Sequence, residues 1–234
     1  MTPPSLNKLL SRLRQAVVEA YTHRSFTLPP ELVTADTIPK AIDKIQERSN
    51  GAPLVGKYDS HAPIFILSAG WRSGSTLLQR LLCSSGEAVI WGEPLGDFAT
   101  IPRLAHTLEP AAHGWPPDDY FSSYYDLNEF GSKWIANVTP PFHYLRVAHQ
   151  ALLYQWLGGP AAEQYQCEKW GMKEVRLTIE HAYYLRWIFP KSKFLFIVRN
   201  PVHAYASWRG IYGPAAGLNI IPGLPSHSHA TGIC

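Results

Sequence analysis

Five consecutive residues, Arg72-Ser73-Gly74-Ser75-Thr76, bring together a forked cation, a glycine and three hydroxyls. A guanidinium matches the oxygens of phosphate or sulfate, and a glycine lets backbone approach an anion closely. Leu77, Leu78, Leu81 and Leu82 follow at helical spacing, so the cluster falls at a helix start. Unpaired N–H groups and the helix dipole favour an anion there. The loop is not a Walker A sequence, G-x-x-x-x-G-K-[ST]. Gly70 and Gly74 are one residue too close, and Ser75 stands where a lysine is required. The bland alternative is a tight strand-to-helix turn with incidental hydroxyls. A second pair lies far along the chain. Arg199 closes the apolar run 193–198, and Ser207 follows eight residues later, about two turns into a helix that starts near Pro201. Arg199 and Ser207 could hold a second anion; taken alone, they also fit an ordinary helix with a surface arginine.

The surrounding sequence supplies the elements that must position these residues. Pro63-Ile64-Phe65-Ile66-Leu67-Ser68 is a short apolar run typical of a buried parallel strand, and it feeds the first loop. Ala88-Val89-Ile90-Trp91 is a second run, ending in Gly92-Glu93-Pro94, with a helix expected in part of 94–108. Residues 109–131, rich in Pro, Gly, Asp, Ser and Tyr, read as a long irregular insert. A helix is expected over 144–157, stopped by Gly158-Gly159-Pro160, then a short strand at 169–173 and a helix over 177–189. Lys193 to Val198 reads as another buried strand, and Arg199-Asn200-Pro201 opens a helix through Trp208. Upstream, Leu6, Leu9, Leu10, Leu13 and Val17 recur at helical spacing, and a helix from about Pro39 to Arg48 is stopped by Asn50-Gly51. Strands alternating with helices predict an α/β fold, a P-loop-like parallel sheet flanked by helices. Three regions are expected: a helical extension over 1–60, the α/β domain over 61–209, and a tail over 210–234.

Composition narrows the function classes. The chain has 234 residues, 46% hydrophobic and 12% aromatic, which argues against disorder. A net charge of +3 is too small for a nucleic-acid coat, so no nucleic-acid partner is expected. Cys83, Cys167 and Cys234 are odd in number and far apart, giving neither metal spacing nor a disulfide framework and suggesting a reducing compartment. With no signal segment and no apolar run near about 20 residues, a cytoplasmic protein without a membrane span is expected, and no metal. Asn137-Val138-Thr139 fits a glycosylation sequon but reads as chance. His106, His113, His181 and His203 share no motif, and His227 and His229 read as incidental. Residues 210–234 carry no Asp, Glu, Lys or Arg and include eight Gly or Pro.

The ordered pair of anion-binding elements resembles the sulfotransferase family, in the branch with an R-S-G-[ST]-T loop that includes tyrosylprotein and many bacterial enzymes. The resemblance covers about 63–209, including the approach Phe189-Pro190-Lys191-Ser192-Lys193-Phe194. It implies a co-substrate, 3′-phosphoadenosine 5′-phosphosulfate (PAPS). Arg72, Ser73, Gly74, Ser75 and Thr76 would hold the 5′-phosphosulfate, and Arg199 and Ser207 the 3′-phosphate. It also implies that Glu93 is the general base for the acceptor hydroxyl or amine, although an acid there could equally cap the next helix. Lys173 would stabilise charge on the transferring sulfuryl, a role Arg176 could fill instead. The reaction implied is in-line transfer to a small-molecule, carbohydrate or peptide acceptor, whose pocket the aromatic segment 109–157 could line. Two rivals stand beside this reading: an inactive remnant of the fold, suggested by the short chain beyond Arg209, and a P-loop small-molecule kinase. Oligomeric state is not legible.

Overall fold

Ile38, Ala41, Ile42 and Ile45 repeat at three- and four-residue intervals, and all four are buried on one stripe of helix α1, Thr37–Arg48. Their stripe joins a core with Phe65, Leu67, Trp170, Met172 and Phe189. The computed structural model describes residues 36–49, 56–121, 126–129 and 137–212, with backbone alone for Asp97 and for 208–212. The helix expected at 6–17, the stretch 213–234 and Cys234 lie outside the described residues.

Four strands form one parallel sheet in the order β2-β3-β1-β4: β1 Ile64–Ser68, β2 Ala88–Trp91, β3 Lys169–Glu174 and β4 Lys193–Ile197. Alternation along β1 explains its unbroken apolar run. Phe65 and Leu67 enter the large core, whereas Ile66 faces the opposite side and packs with Ala88 and Ile90. Leu78 and Leu82 of helix α2, Ser75–Ser84, cover that second cluster. A strand buried on both faces has no polar side to show. Helices α3, Thr100–His106, and α4, Glu109–Ala112, follow β2. Helix α5 is Phe142–Leu153, α6 is Gly159–Tyr165, α7 is Ile179–Ile188 and α8 is Pro201–Tyr212. The α/β class with a helix-flanked parallel sheet is therefore the observed one. The expectation of a buried strand at 193–198 is not met: β4 lies at the sheet edge, with one side unpaired, and its Leu195 and Phe196 are exposed.

Three further expectations need correction. The insert at 109–131 is not irregular from its first residue: Glu109–Ala112 is a helical turn, held by Leu108 and Ala111, both fully buried. Gly158-Gly159-Pro160 does not stop its helix. A π-helical turn at Tyr154–Gly158 leads straight into α6. Pro160 is tolerated because it sits in the first turn of α6, where its missing N–H has no partner to lose. The glycine is needed for contact rather than termination: a Cβ at Gly158 would stand 2.9 Å from the Trp170 indole. Finally, the last helix runs past Trp208 to Tyr212.

Gly171 sits in the middle of β3, beside Ile64 of β1. A Cβ there would lie 1.7 Å from the Ile64 carbonyl oxygen, a backbone atom fixed by the ladder. Gly171→Ala should therefore break the β1–β3 register and cost about 4 kcal/mol or more, read as a lower midpoint in urea unfolding. A wild-type midpoint would show that the strands can separate without loss.

Candidate active site

All four strands run the same way, so their carboxyl ends share one edge of the sheet, where open α/β sheets bind ligands. The loop after β1 begins by extending the ladder: Ala69 N–H donates to Ile197 O at 3.0 Å. Ser68 Oγ donates to Gly70 O at 2.6 Å, so the 2.5 Å contact with Ser73 Oγ has Ser73 as donor. That commits the Ser73 hydroxyl inward and leaves its backbone as the part available to a ligand. Gly74 adopts φ 101° as the N-cap of α2, a conformation that favours glycine. Its carbonyl accepts from Leu77 and Leu78, whereas the N–H groups of Ser75 and Thr76 have no preceding helical carbonyl. Ser75 is buried and Thr76 is exposed.

The two elements expected from the sequence to bind anions meet through Arg72. Its Nε and a terminal nitrogen both donate to Ser207 Oγ, each at 3.2 Å, across 135 residues of sequence. Arg199 in turn donates to Arg72 O at 3.0 Å. Arg199 and Ser207 are thus linked by Arg72, which itself holds a left-handed φ of 62°. From the sequence, Arg72 is expected to be catalytic as well as to hold the first anion; the geometry sets it between the 72–76 loop and the Arg199–Ser207 pair.

A second cluster lies along the same edge. Glu93 follows β2 by two residues, and its Oε1 accepts from Lys173 Nζ near the end of β3. Glu93 Oε2 accepts from Arg176 at 2.5 Å. Glu93 therefore binds side-chain cations rather than helix N–H groups, and the N-cap of α3 is Ala99. Lys173 and Arg176, weighed as alternatives from sequence, both reach the same carboxylate. Glu174 braces the turn that follows: its Oε1 accepts from Val175 N–H at 2.9 Å and Arg176 N–H at 3.2 Å. A capping box at Thr178 and His181 then starts α7. Burial drives the His181 pKa down to about 4, helped by the charge of nearby His106, so its ring stays a neutral acceptor at pH 7. Arg176 also lies 5.6 Å from the Trp71 ring centre, joining this cluster to the first loop.

The Arg72–Ser207–Arg199 contact and a doubly ion-paired carboxylate thus lie along one parallel-sheet edge. A family model described as the sulfotransferase family matches residues 63–217. The chain belongs to the sulfotransferase family. The matched span contains every residue placed at this edge. No curated protein matches the chain. Among the described residues, no group of three His, Cys, Asp or Glu is arranged to hold a metal, and no helix is long and apolar enough to cross a membrane.

Sequence reasoning missed three residues that stand at this edge of the family member: Ser68, Glu174 and Trp71. Ser68 and Glu174 act through backbone turns, which leave no spacing signal. Trp71 had a signal, an aromatic beside a basic loop, that gained meaning only once Arg176 was found against it.

Burial of Glu93 raises its pKa, but the bonds and charges of Lys173 and Arg176 outweigh that and leave it below the usual 4.5. A depressed folded-state pKa means that the ion pairs contribute fully above 4.5 and lose strength as pH falls through the lower folded value. Glu93→Ala leaves Lys173, almost fully buried, without its carboxylate and should cost about 2 kcal/mol at neutral pH. That difference should shrink in acid, as the pH falls from 4.5 through the lowered folded value and the wild-type carboxylate takes up its proton. Urea unfolding at neutral and at acid pH checks this; an equal loss at both would mean that the packing of Glu93, not its charge, is what matters.

Proposed function

We propose that the chain transfers a sulfuryl group from PAPS to a hydroxyl or amine acceptor. The observation that carries this reading is the arrangement at the sheet edge. Glu93, held by Lys173 and Arg176, stands along the same edge as the 72–76 loop and the Arg72–Ser207–Arg199 contact.

The fit to the donor rests on this chain's own groups. The N–H groups of Gly74, Ser75 and Thr76, at the positive end of α2, would bind the 5′-phosphosulfate. No obstacle stands over the loop glycines, since a Cβ at Gly70 would meet nothing within 4 Å and one at Gly74 only Ile197, at 3.8 Å. Arg199 and Ser207 would hold the 3′-phosphate. Ser207 Oγ accepts from Arg72, which leaves its O–H directed to donate to an anion. Arg72 thereby links the two ends of the donor site. PAPS supplies an electrophilic sulfur with a phosphate leaving group.

Glu93 is an ionised carboxylate at neutral pH, placed to take the proton of the acceptor hydroxyl. As the acceptor oxygen bonds to sulfur, the sulfur–oxygen bond to the 5′-phosphate breaks. Adenosine 3′,5′-bisphosphate leaves with the electron pair, and the proton stays on Glu93. Lys173 offers three N–H donors, of which Glu93 takes one. The others would serve the charge that builds on the sulfuryl and phosphate oxygens. Positioning and charge neutralisation supply most of the rate in such a transfer.

Binding is tested first. Adenosine 3′,5′-bisphosphate should bind by calorimetry, and ATP at least tenfold more weakly; the reverse order would favour the kinase reading. Arg199→Ala removes a charge-assisted contact of roughly 1.5–3 kcal/mol, so the bisphosphate Kd should rise about 10- to 100-fold; an unchanged Kd removes Arg199 from the site. Glu93→Gln should lower transfer by about 10²–10⁴-fold while leaving the bisphosphate Kd in place. Retained turnover would exclude Glu93 as the base.

A further inference from the structure

β4 is open along its outer edge and on part of both faces. Among the described residues no strand pairs with that edge. Leu195 on one face is 36% exposed, Phe196 on the other 58%, and Val198, just past the strand, 76%. Proteins usually blunt such an edge with a charge, a proline or a bulge, because its free N–H and C=O groups template pairing with another chain. Phe194-Leu195-Phe196-Ile197-Val198 contains neither charge nor proline. The ladder with β1 decides which groups are free. Lys193 N–H donates to Pro63 O at 2.8 Å, and Ile197 O accepts from Ala69 N–H at 3.0 Å. Residues 193, 195 and 197 therefore spend their backbone groups on β1, and Phe194 and Phe196 direct theirs outward. The two phenyl rings share one face, 6.2 Å apart and within 18° of parallel.

We propose that this edge pairs with the β4 edge of a second copy of the chain, antiparallel about a two-fold axis through Leu195. The outward groups fix the register. Phe194 of each copy stands opposite Phe196 of the other, and each such pair exchanges both of its N–H···O bonds. The rings then make aromatic cross-strand pairs, which stabilise an antiparallel ladder. Leu195 faces Leu195 of the second copy, and Lys193 faces Ile197. Other registers lose by comparison. A slip of one residue sets the outward groups opposite odd-numbered residues, whose bonds are already made to β1. A slip of two residues one way sets Lys193 opposite Arg199 of the second copy, a like-charge pair. The same slip the other way sets Phe196 opposite Ser192, whose N–H is already given to Phe189 O at 2.9 Å. Residues 213–234 of the same chain are the competing occupant. Their longest mainly apolar stretch, Leu218-Asn219-Ile220-Ile221, is interrupted by Asn219, closed by Pro222 and shorter than β4. A second β4 offers a full strand with matched aromatics, and two-fold symmetry makes one surface serve both copies.

Sedimentation equilibrium of the full chain between about 1 and 100 µM should show the mass rising from 26.2 kDa toward twice that value. Leu195→Lys sets two cations face to face at the axis and should raise the dimer Kd at least about tenfold, with an unchanged circular dichroism spectrum because Leu195 lies at the surface. Leu195→Cys tests the register without that variant. A non-hydrogen-bonded antiparallel pair is within disulfide reach, so oxidised glutathione should link two copies through position 195 when Cys83, Cys167 and Cys234 are changed to serine. Phe196→Cys in the same background should not link, since Phe196 stands opposite Phe194. A monomer at every concentration, a dimer unmoved by Leu195→Lys, or no link through position 195 overturns the proposal. A monomer whose amides at 218–221 resist hydrogen exchange would assign the edge to that segment instead. None of these measurements involves the donor site.

Discussion

Backbone pairing of β1 on both of its edges is the constraint from which the site follows. β1 lies between β3 and β4 in register, with Ile66 opposite both Lys173 and Leu195. Parallel pairing aligns carboxyl ends, so a loop after β1, a carboxylate after β2, a lysine late in β3 and an arginine after β4 must share an edge. Two local features make the pairing close enough. Gly171 lets β3 approach the Ile64 carbonyl, and Ala69 carries the β4 ladder one residue into the loop. The chemistry is thus assembled by strands that carry almost none of it themselves.

Electrostatics then hold the edge together. Lys173 is nearly buried, and a buried ammonium without a partner is costly; Glu93 removes that cost and is kept ionised in return. The same arrangement lowers the proton affinity of Glu93 and keeps its carboxylate ionised. On the other side, Arg72 does for the loop and α8 what Glu93 does for β2 and β3. It turns two separately placed elements into one surface.

Much of this was legible in the sequence. Strands β1 and β2 were readable from the short apolar runs 64–67 and 88–91; β4 was readable from the apolar run 194–198, although it lies exposed at the sheet edge. The loop was readable because glycine, arginine and hydroxyls at a helix start have few other joint uses. What escaped depends on partners distant in the chain. Nothing at Arg72 announces Ser207, and nothing at Glu93 distinguishes a cap from an ion pair until Lys173 and Arg176 arrive from β3. Gly158-Gly159-Pro160 misled because glycine and proline end helices by their local conformation. Here tertiary contact with Trp170 overrides that tendency.

The π-helical turn at Tyr154–Gly158 has a reach beyond its own helix. It lies against β3 through Gly158 and Trp170, and its Leu157 carbonyl accepts the Trp91 indole N–H at 2.8 Å. Trp91 is the last residue of β2, two before Glu93. A widened turn in the helical layer therefore works as a surveyor's peg for the strand beside it. It fixes how far β2 runs before the chain departs, and so the spot from which a single carboxylate is launched. Changes in that helix would be felt as an offset in the position of one carboxylate at the sheet edge.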